Sequence, residues 1–243
     1  MENRVSARIS ALADRILPGR TVADIGSDHA QLLVTLAERG ALKKGIAGEL
    51  NRGPYQNAAD RIREAGWTES IEVRQGDGLE VLQPGEAEVI VLAGMGGVLI
   101  TSILSRGKEK LSGTEQLVLQ PNNNGDRVRK WLKDHGWEIV EEELLKEGGI
   151  LYEIISARRG ESERPYKNLP LRPELLFRLG PLLCRDRHPL LRERVREEAA
   201  ALKRILNSLR SARTPEAKEK QAEVAARLET WKEAELWLSR ETS

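Results

Sequence analysis

The stretch TVADIGSDHAQLLVTLAERG, residues 21–40, decides how this chain is read. It opens on an apolar run of strand type, turns at Gly26, and continues with apolar residues at helical spacing. A strand, a glycine turn and a helix are how nucleotide-cofactor domains begin. A dinucleotide site fills that turn with three glycines, so that helix N-terminal amides can touch a pyrophosphate. Here the matching positions are Gly26, Asp28 and Gln31, and an acid stands where phosphate would lie. A pyrophosphate is disfavoured on steric and electrostatic grounds.

Outward from this unit the chain alternates. Apolar runs near 21–25, 45–48, 70–74, 88–93 and 116–120 are each followed by a segment of helical pattern. Continuous runs such as EVIVLAG, residues 88–94, suit strands buried on both faces of a parallel sheet. Five such units predict a doubly wound α/β fold. Upstream, residues 3–17 place Val5, Ile9, Leu12, Ala13 and Ile16 on one helix face before Pro18-Gly19. Downstream, runs at 137–145 and 150–156 are joined by only four residues, Lys146 to Gly149, and must pair antiparallel. A parallel sheet closed by an antiparallel hairpin is the layout of the class I (Rossmann-like) methyltransferase domain.

The charged, proline-containing stretch 157–173 reads as a linker, placing one domain at 1–158 and a basic α-helical C-terminal domain at 159–243. Two helices are predicted there, about 189–212 and 215–239. Leu191, Val195, Leu202, Ile205 and Leu209 face Val224, Leu228, Trp231, Leu236 and Leu238 in a coiled-coil hairpin. Residues 1–156 carry 19 Lys and Arg against 24 Asp and Glu, whereas 157–213 carry 15 against 7. That asymmetry points to a polyanionic partner for the second part, against the plainer reading of a solvated helical surface. One cysteine, Cys184, excludes an internal disulfide, and three scattered histidines exclude a metal-ligand cluster. No run reaches 18 apolar residues and the N-terminus lacks a signal-peptide core, so a cytoplasmic protein without membrane or metal partners is expected.

The acids ask for a ligand that has no phosphate and carries positive charge. S-adenosylmethionine, with a sulfonium and an α-ammonium group, has that chemistry. Asp24 or Asp28 can face its cationic end, Gly26 lets the backbone approach, and Glu49 can accept the ribose hydroxyls. Asp77 follows the third strand, where it can accept from the adenine amino group, and LAGMGG, residues 92–97, follows the fourth. Ser27, Leu50, Gly78, Ala93 and Gly94 complete the expected cofactor contacts. Each motif alone is also an ordinary turn; four at successive strand ends are less easily dismissed.

VADIGSDHA (22–30), GELNRGPYQNA (48–58), VRQGDGLEVL (73–82), AGMGGVLI (93–100) and LQPN (119–122) closely resemble the TrmK family of bacterial tRNA methyltransferases. The likeness extends to PELLFRLGPLL (173–183) and the basic helical end. It implies transfer of a methyl group from S-adenosylmethionine to N1 of adenine 22 in tRNA. Two departures are Gln31, where an aromatic residue is expected, and the polar QPNNNG at 120–125. For that reaction Asp28 is the catalytic candidate, next to the adenine amino group, with a helix N-cap as its competing role. His29, Tyr55, Met95, Gly96 and Asn122 are candidates for base contact, since no aromatic-proline motif follows the fourth strand. Arg158, Arg159 and Arg192 are candidates for tRNA phosphates. The alternatives are an NAD(P)-dependent oxidoreductase and a non-catalytic RNA-binding protein on the same fold. The sequence leaves oligomeric state open.

Overall fold

A computed structural model describes residues 5–27, 29–209 and 214–239. The chain divides into two compact units, Met1–Asn168 and Leu169–Ser243.

The first unit is built on a seven-stranded sheet. Its strands are β1 (Arg20–Ile25), β2 (Leu42–Glu49), β3 (Ile71–Gln75), β4 (Val89–Gly96), β5 (Gln116–Asn123), β6 (Trp137–Glu147) and β7 (Ile150–Arg159). They lie in the order β3-β2-β1-β4-β5-β7-β6. The pairs among β1 to β5 are parallel, while β7 is antiparallel to both β5 and β6. This is the methyltransferase layout predicted from the terminal hairpin. The continuous apolar runs mark central strands: Val22, Ala23, Ile46, Ala47, Val89 to Leu92 and Leu117 to Leu119 are fully buried, as a sheet covered on both faces requires.

Five helices cover that sheet: α1 (Ala7–Asp14), α2 (Gln31–Glu38), α3 (Arg52–Glu64), α4 (Gly97–Arg106) and α5 (Gly125–Asp134). The first is shorter than the helix expected over 3–17: the Ser6 hydroxyl accepts from Ile9 N at 3.2 Å and starts it, and residues 3 and 4 lie outside the described residues. Ala7 N donates to Glu147 Oε1 at 2.6 Å, and the Arg15 guanidinium reaches Glu143 at 2.7 Å and Glu141 at 3.2 Å. These contacts pin α1 to the β6–β7 hairpin.

The boundary between units falls after Asn168, beyond the expected residue 158. The cause is local packing: β7 runs on to Arg159, and a 3-10 turn at Arg164–Tyr166 folds back. Tyr166 Oη donates to the Arg129 carbonyl, Pro165 is buried, and Lys133 pairs with Glu163 at 3.1 Å. Much of the supposed linker is therefore part of the first unit.

The second unit holds α6 (Pro173–Leu179), α7 (Pro181–Arg185), α8 (Leu191–Leu209) and α9 (Pro215–Ser239). The expected continuation of α8 to 212 lies outside the described residues. Leu191, Val195 and Leu202 are buried, as are Val224, Leu228, Trp231 and Leu238, but Ile205 and Leu236 are exposed, contrary to expectation. The stripe on α8 keeps a 3.5-residue repeat through Val195, Ala199, Leu202, Leu206 and Leu209, which passes over Ile205. On α9, Leu236 sits two residues from both Ala234 and Leu238, about 200° around the helix from that seam. No helix among the described residues is long and apolar enough to cross a membrane.

Candidate active site

Because β1 to β5 run parallel, their carboxyl ends meet along one edge, and β1 sits between β2 and β4 where the strand order reverses. Doubly wound sheets open a crevice at that point. Here it is a cleft of about 530 Å³, of the size that takes a small ligand. Asp24, Gly26 and Ser27 line it from the end of β1, and Glu49 and Leu50 from β2. Asp77 and Gly78 follow β3, Ala93, Gly94 and Met95 end β4, and Asn122 comes from β5. Gly26 has φ +71, the left-handed region that favours glycine, and a Cβ there would lie 2.4 Å from Met95 Cε. The first turn and the carboxyl end of β4 thereby meet at the cleft.

The acids shape its electrostatics. Asp24 is almost fully buried, and burial is the main cause that pushes its pKa up to about 7. Ser27 acts in the opposite direction, Glu49 adds to the rise, and Arg8 counters it. The Ser27 hydroxyl is itself buried and lacks a hydrogen bond of good geometry, yet it is near enough to Asp24 to favour the carboxylate. A buried carboxylate beside a second buried acid is costly in the charged form, and a cationic ligand would relieve that cost. Asp77 differs: it is half-buried, and Arg106 from α4 grips it with Nη1 to Oδ2 at 2.6 Å and Nη2 to Oδ1 at 3.1 Å. That guanidinium holds the Asp77 carboxyl below the usual range.

Beside the carboxyl end of β4, Gln120 and Asn122 form a small relay. Gln120 Oε1 accepts from Gly94 N and from Arg8 Nη1, each at 3.1 Å. Gln120 Nε2 donates to Asn122 Oδ1 at 3.0 Å, and Asn122 Nδ2 donates to the Gly94 carbonyl at 2.7 Å. Both peptide faces of Gly94 are thus tied to β5.

Comparison with known proteins agrees with this geometry. The family described as TrmK, tRNA (adenine(22)-N(1))-methyltransferase, matches residues 22–233. A Bacillus subtilis (strain 168) protein named tRNA (adenine(22)-N(1))-methyltransferase is 37% identical over 233 residues, covering 96% of this chain and 97% of its own length. This chain belongs to the TrmK family. The crystal structure of the B. subtilis m1A22 tRNA methyltransferase TrmK matches with a TM-score of 0.88 at 36% identity, over 96% of this chain and all of that one. Streptococcus pneumoniae Sp1610 in complex with S-adenosyl-L-methionine matches with a TM-score of 0.82 at 36% identity, over 95% of this chain and 99% of that one.

The cleft brings together Asp24, Gly26, Ser27, Glu49, Leu50, Asp77, Gly78, Ala93 and Gly94, together with His29, Met95 and Asn122. Other TrmK-derived expectations fare differently. Asp28 lies outside the described residues; α2 begins at Gln31 with Ala30 at its N-cap, so the helix is shorter than the 29–39 segment considered from sequence. Tyr55 is on α3 and does not line the cleft, and Gly96 faces Asn123, 3.0 Å from the Cβ it lacks. Arg158 pairs with Gln116 at the start of β5, about 20 Å along that strand from Asn122. It and Arg159 therefore lie at the opposite edge of the sheet, where Arg159 stacks 4.0 Å from Trp137 and donates to the His135 carbonyl at 3.0 Å. Arg192 is in the second unit, donating to the Leu238 carbonyl at 2.8 Å.

Among the cleft residues that sequence reasoning missed are Arg8 and its neighbours on α1, Tyr152 on β7, and Leu99 with Ile103 on α4. Leu99 follows AGMGG by two residues and could have been found from that motif. Nothing in the sequence directs Arg8 or Tyr152 toward the cleft, because both arrive through tertiary packing of α1 against the hairpin.

Proposed function

We propose that this chain is an S-adenosylmethionine-dependent methyltransferase acting on N1 of adenine 22 in bacterial tRNA. The observation that carries it is one cleft, in a chain of the TrmK family, where Asp24, Glu49 and Asp77 stand at three successive strand ends without the phosphate-binding glycines of a dinucleotide site. Bound there, S-adenosylmethionine supplies an electrophilic methyl group. Asp24 would face the cationic amino-acid end, Glu49 the ribose hydroxyls, and Asp77 the adenine amino group, with Arg106 fixing the orientation of that carboxylate.

Adenine N1 carries its own lone pair, so the chain needs no strong base to create a nucleophile; placement is its main contribution. The target lies on the Watson–Crick edge and must leave the stack to be reached. Gly94, held at both peptide faces by Gln120 and Asn122, gives the end of β4 that would meet the base a fixed position. Asn122 Oδ1 accepts one described bond, from Gln120, and retains a lone pair for an amino donor. Asp28, from its place after Gly26-Ser27, is assigned the carboxylate that offsets positive charge on the methylated base. The basic second unit supports tRNA binding, and a tRNA substrate places the protein in the cytoplasm.

The reading is tested by methyl transfer from labelled S-adenosylmethionine to unmodified tRNA carrying A22, beside the same tRNA with guanine at that position. Label in the first alone is expected. Equal label in both would move the target base, and label in neither would remove the activity.

A further inference from the structure

The cofactor of the proposed reaction ends in an amino acid, and so brings an anion as well as cations. The acids of the cleft answer only the cations. A carboxylate entering beside Asp24 and Glu49 would be repelled unless a positive group met it. Among the described residues that line the cleft, Arg8 is the one lysine or arginine.

Its position is set from several sides. Arg8 is half-buried on α1, and its Nη1 is 3.1 Å from Gln120 Oε1. The same nitrogen is 3.6 Å from where a Cβ on Gly94 would be, so it lies against the end of β4. Its guanidinium carbon sits 5.3 Å from the Tyr152 ring centroid, within cation–π range. It is also close enough to Asp24 to favour that carboxylate. The helix beneath it is pinned at Ala7 by Glu147 and at Arg15 by Glu143. Among the described residues Gln120 accounts for one of its five N–H donors, and the planar fork matches a carboxylate.

We propose that Arg8 receives the carboxylate of the cofactor's amino-acid end, making the N-terminal helix part of the cofactor site. The assignment rests on the cofactor reading above. It pairs a cation with the anionic group and Asp24 with the cationic group of the same zwitterion, which selects for the intact amino acid. Gln120 then has two tasks, since it holds Arg8 and the end of β4 through the same oxygen.

The test is calorimetric titration of the full chain with S-adenosylmethionine and with decarboxylated S-adenosylmethionine, which keeps the sulfonium and amine. The wild type is expected to prefer the intact ligand by about tenfold or more. In Arg8→Gln that preference should fall to within about twofold, chiefly through weaker binding of the intact ligand. Arg8→Lys, which keeps the charge without the fork, should retain an intermediate preference. A full preference in Arg8→Gln would overturn the assignment. Equal loss of both ligands would also overturn it, by showing that Arg8 acts through helix packing. Unchanged cofactor binding with weakened tRNA binding would give Arg8 to tRNA phosphate instead. If the wild type bound neither ligand, the cofactor reading would fall and this assignment with it.

Discussion

Asp24 concentrates the site's electrostatics in one residue. Its folded pKa of about 7 stands well above the ordinary 3.8, chiefly through burial. Between those values the folded protein holds a proton that the unfolded chain has lost, so this group's contribution to stability falls as pH rises from about 4 to 7. A cationic ligand favours the ionised form and must displace that proton when the pH is below 7. Affinity for S-adenosylmethionine should therefore weaken on acidification below neutrality, approaching tenfold per pH unit, and Asp24→Asn should flatten the profile. Titrations between about pH 5.5 and 8 check this; a flat wild-type profile would mean that Asp24 does not face the ligand's charge. Gly26 offers a second residue-level test. Alanine there would have to hold φ +71 with its Cβ against Met95 Cε. The left-handed conformation costs about 1–2 kcal/mol, while the Met95 end can swing aside. Gly26→Ala should thus lower urea stability by that amount and weaken cofactor binding further, because the displaced Met95 and the new methyl group both enter the cleft.

Between elements, the feature with most at stake is the joint of α5 with the terminal hairpin. Arg129 is fully buried, with Nε 2.6 Å from Glu142 Oε1 on β6 and Nη2 2.8 Å from Glu153 Oε2 on β7. Burial opposes its charge, and the two carboxylates more than offset that. Arg129→Ala would leave two buried acids without their shared cation, at a cost of about 3–5 kcal/mol, measurable as a lower urea midpoint with an unchanged slope. A loss below about 1 kcal/mol would show that water or rearrangement takes over the role. The same hairpin marks the limit of what the sequence discloses. Central strands announce themselves as apolar runs, and the carboxyl ends of the parallel strands, with that of the partly exposed edge strand β3 among them, deliver GEL, QGDG and AGMGG to one edge. What a local pattern cannot carry is direction across the sheet. Arg158 and Arg159 read as linker cations for tRNA phosphates, and only the register of β7 against β5 shows that they belong to the sheet and lie at the edge far from the cleft. Tyr55 is the tyrosine that the sequence singles out, and only the packing of α3 and of the hairpin shows that Tyr152 lines the cleft in its stead. The seam of α8 and α9 was legible as a periodicity, but a one-residue choice between Ile205 and Leu206 needed the partner helix.

At the scale of the whole chain, a net charge of +1 gives tRNA nothing to recognise. Phosphates sense charge within roughly one Debye length, about 8 Å at physiological salt, so local distribution matters and net charge does not. The excess of cations lies largely in the second unit, and its Arg158 and Arg159 extension belongs to the first. Within α8, Arg192, Arg196 and Lys203 are exposed and recur at four- and seven-residue intervals, which aligns them along one flank of the helix. Arg192 is committed to the Leu238 carbonyl, which leaves Arg196 and Lys203 as the informative pair. Reversing both to glutamate should weaken tRNA binding and reduce the slope of log affinity against log salt by about one to two, as expected for the loss of that many phosphate contacts. Cofactor affinity should not change, because α8 lies in a unit with its own apolar seam and supplies no residue to the cleft. Filter binding across a salt series, with calorimetry of the cofactor beside it, separates the outcomes. An unchanged affinity and slope would make this flank a solvated surface and shift the search for phosphate contacts to α6 and α7. A fall in both tRNA and cofactor binding would instead reveal energetic coupling between the two units.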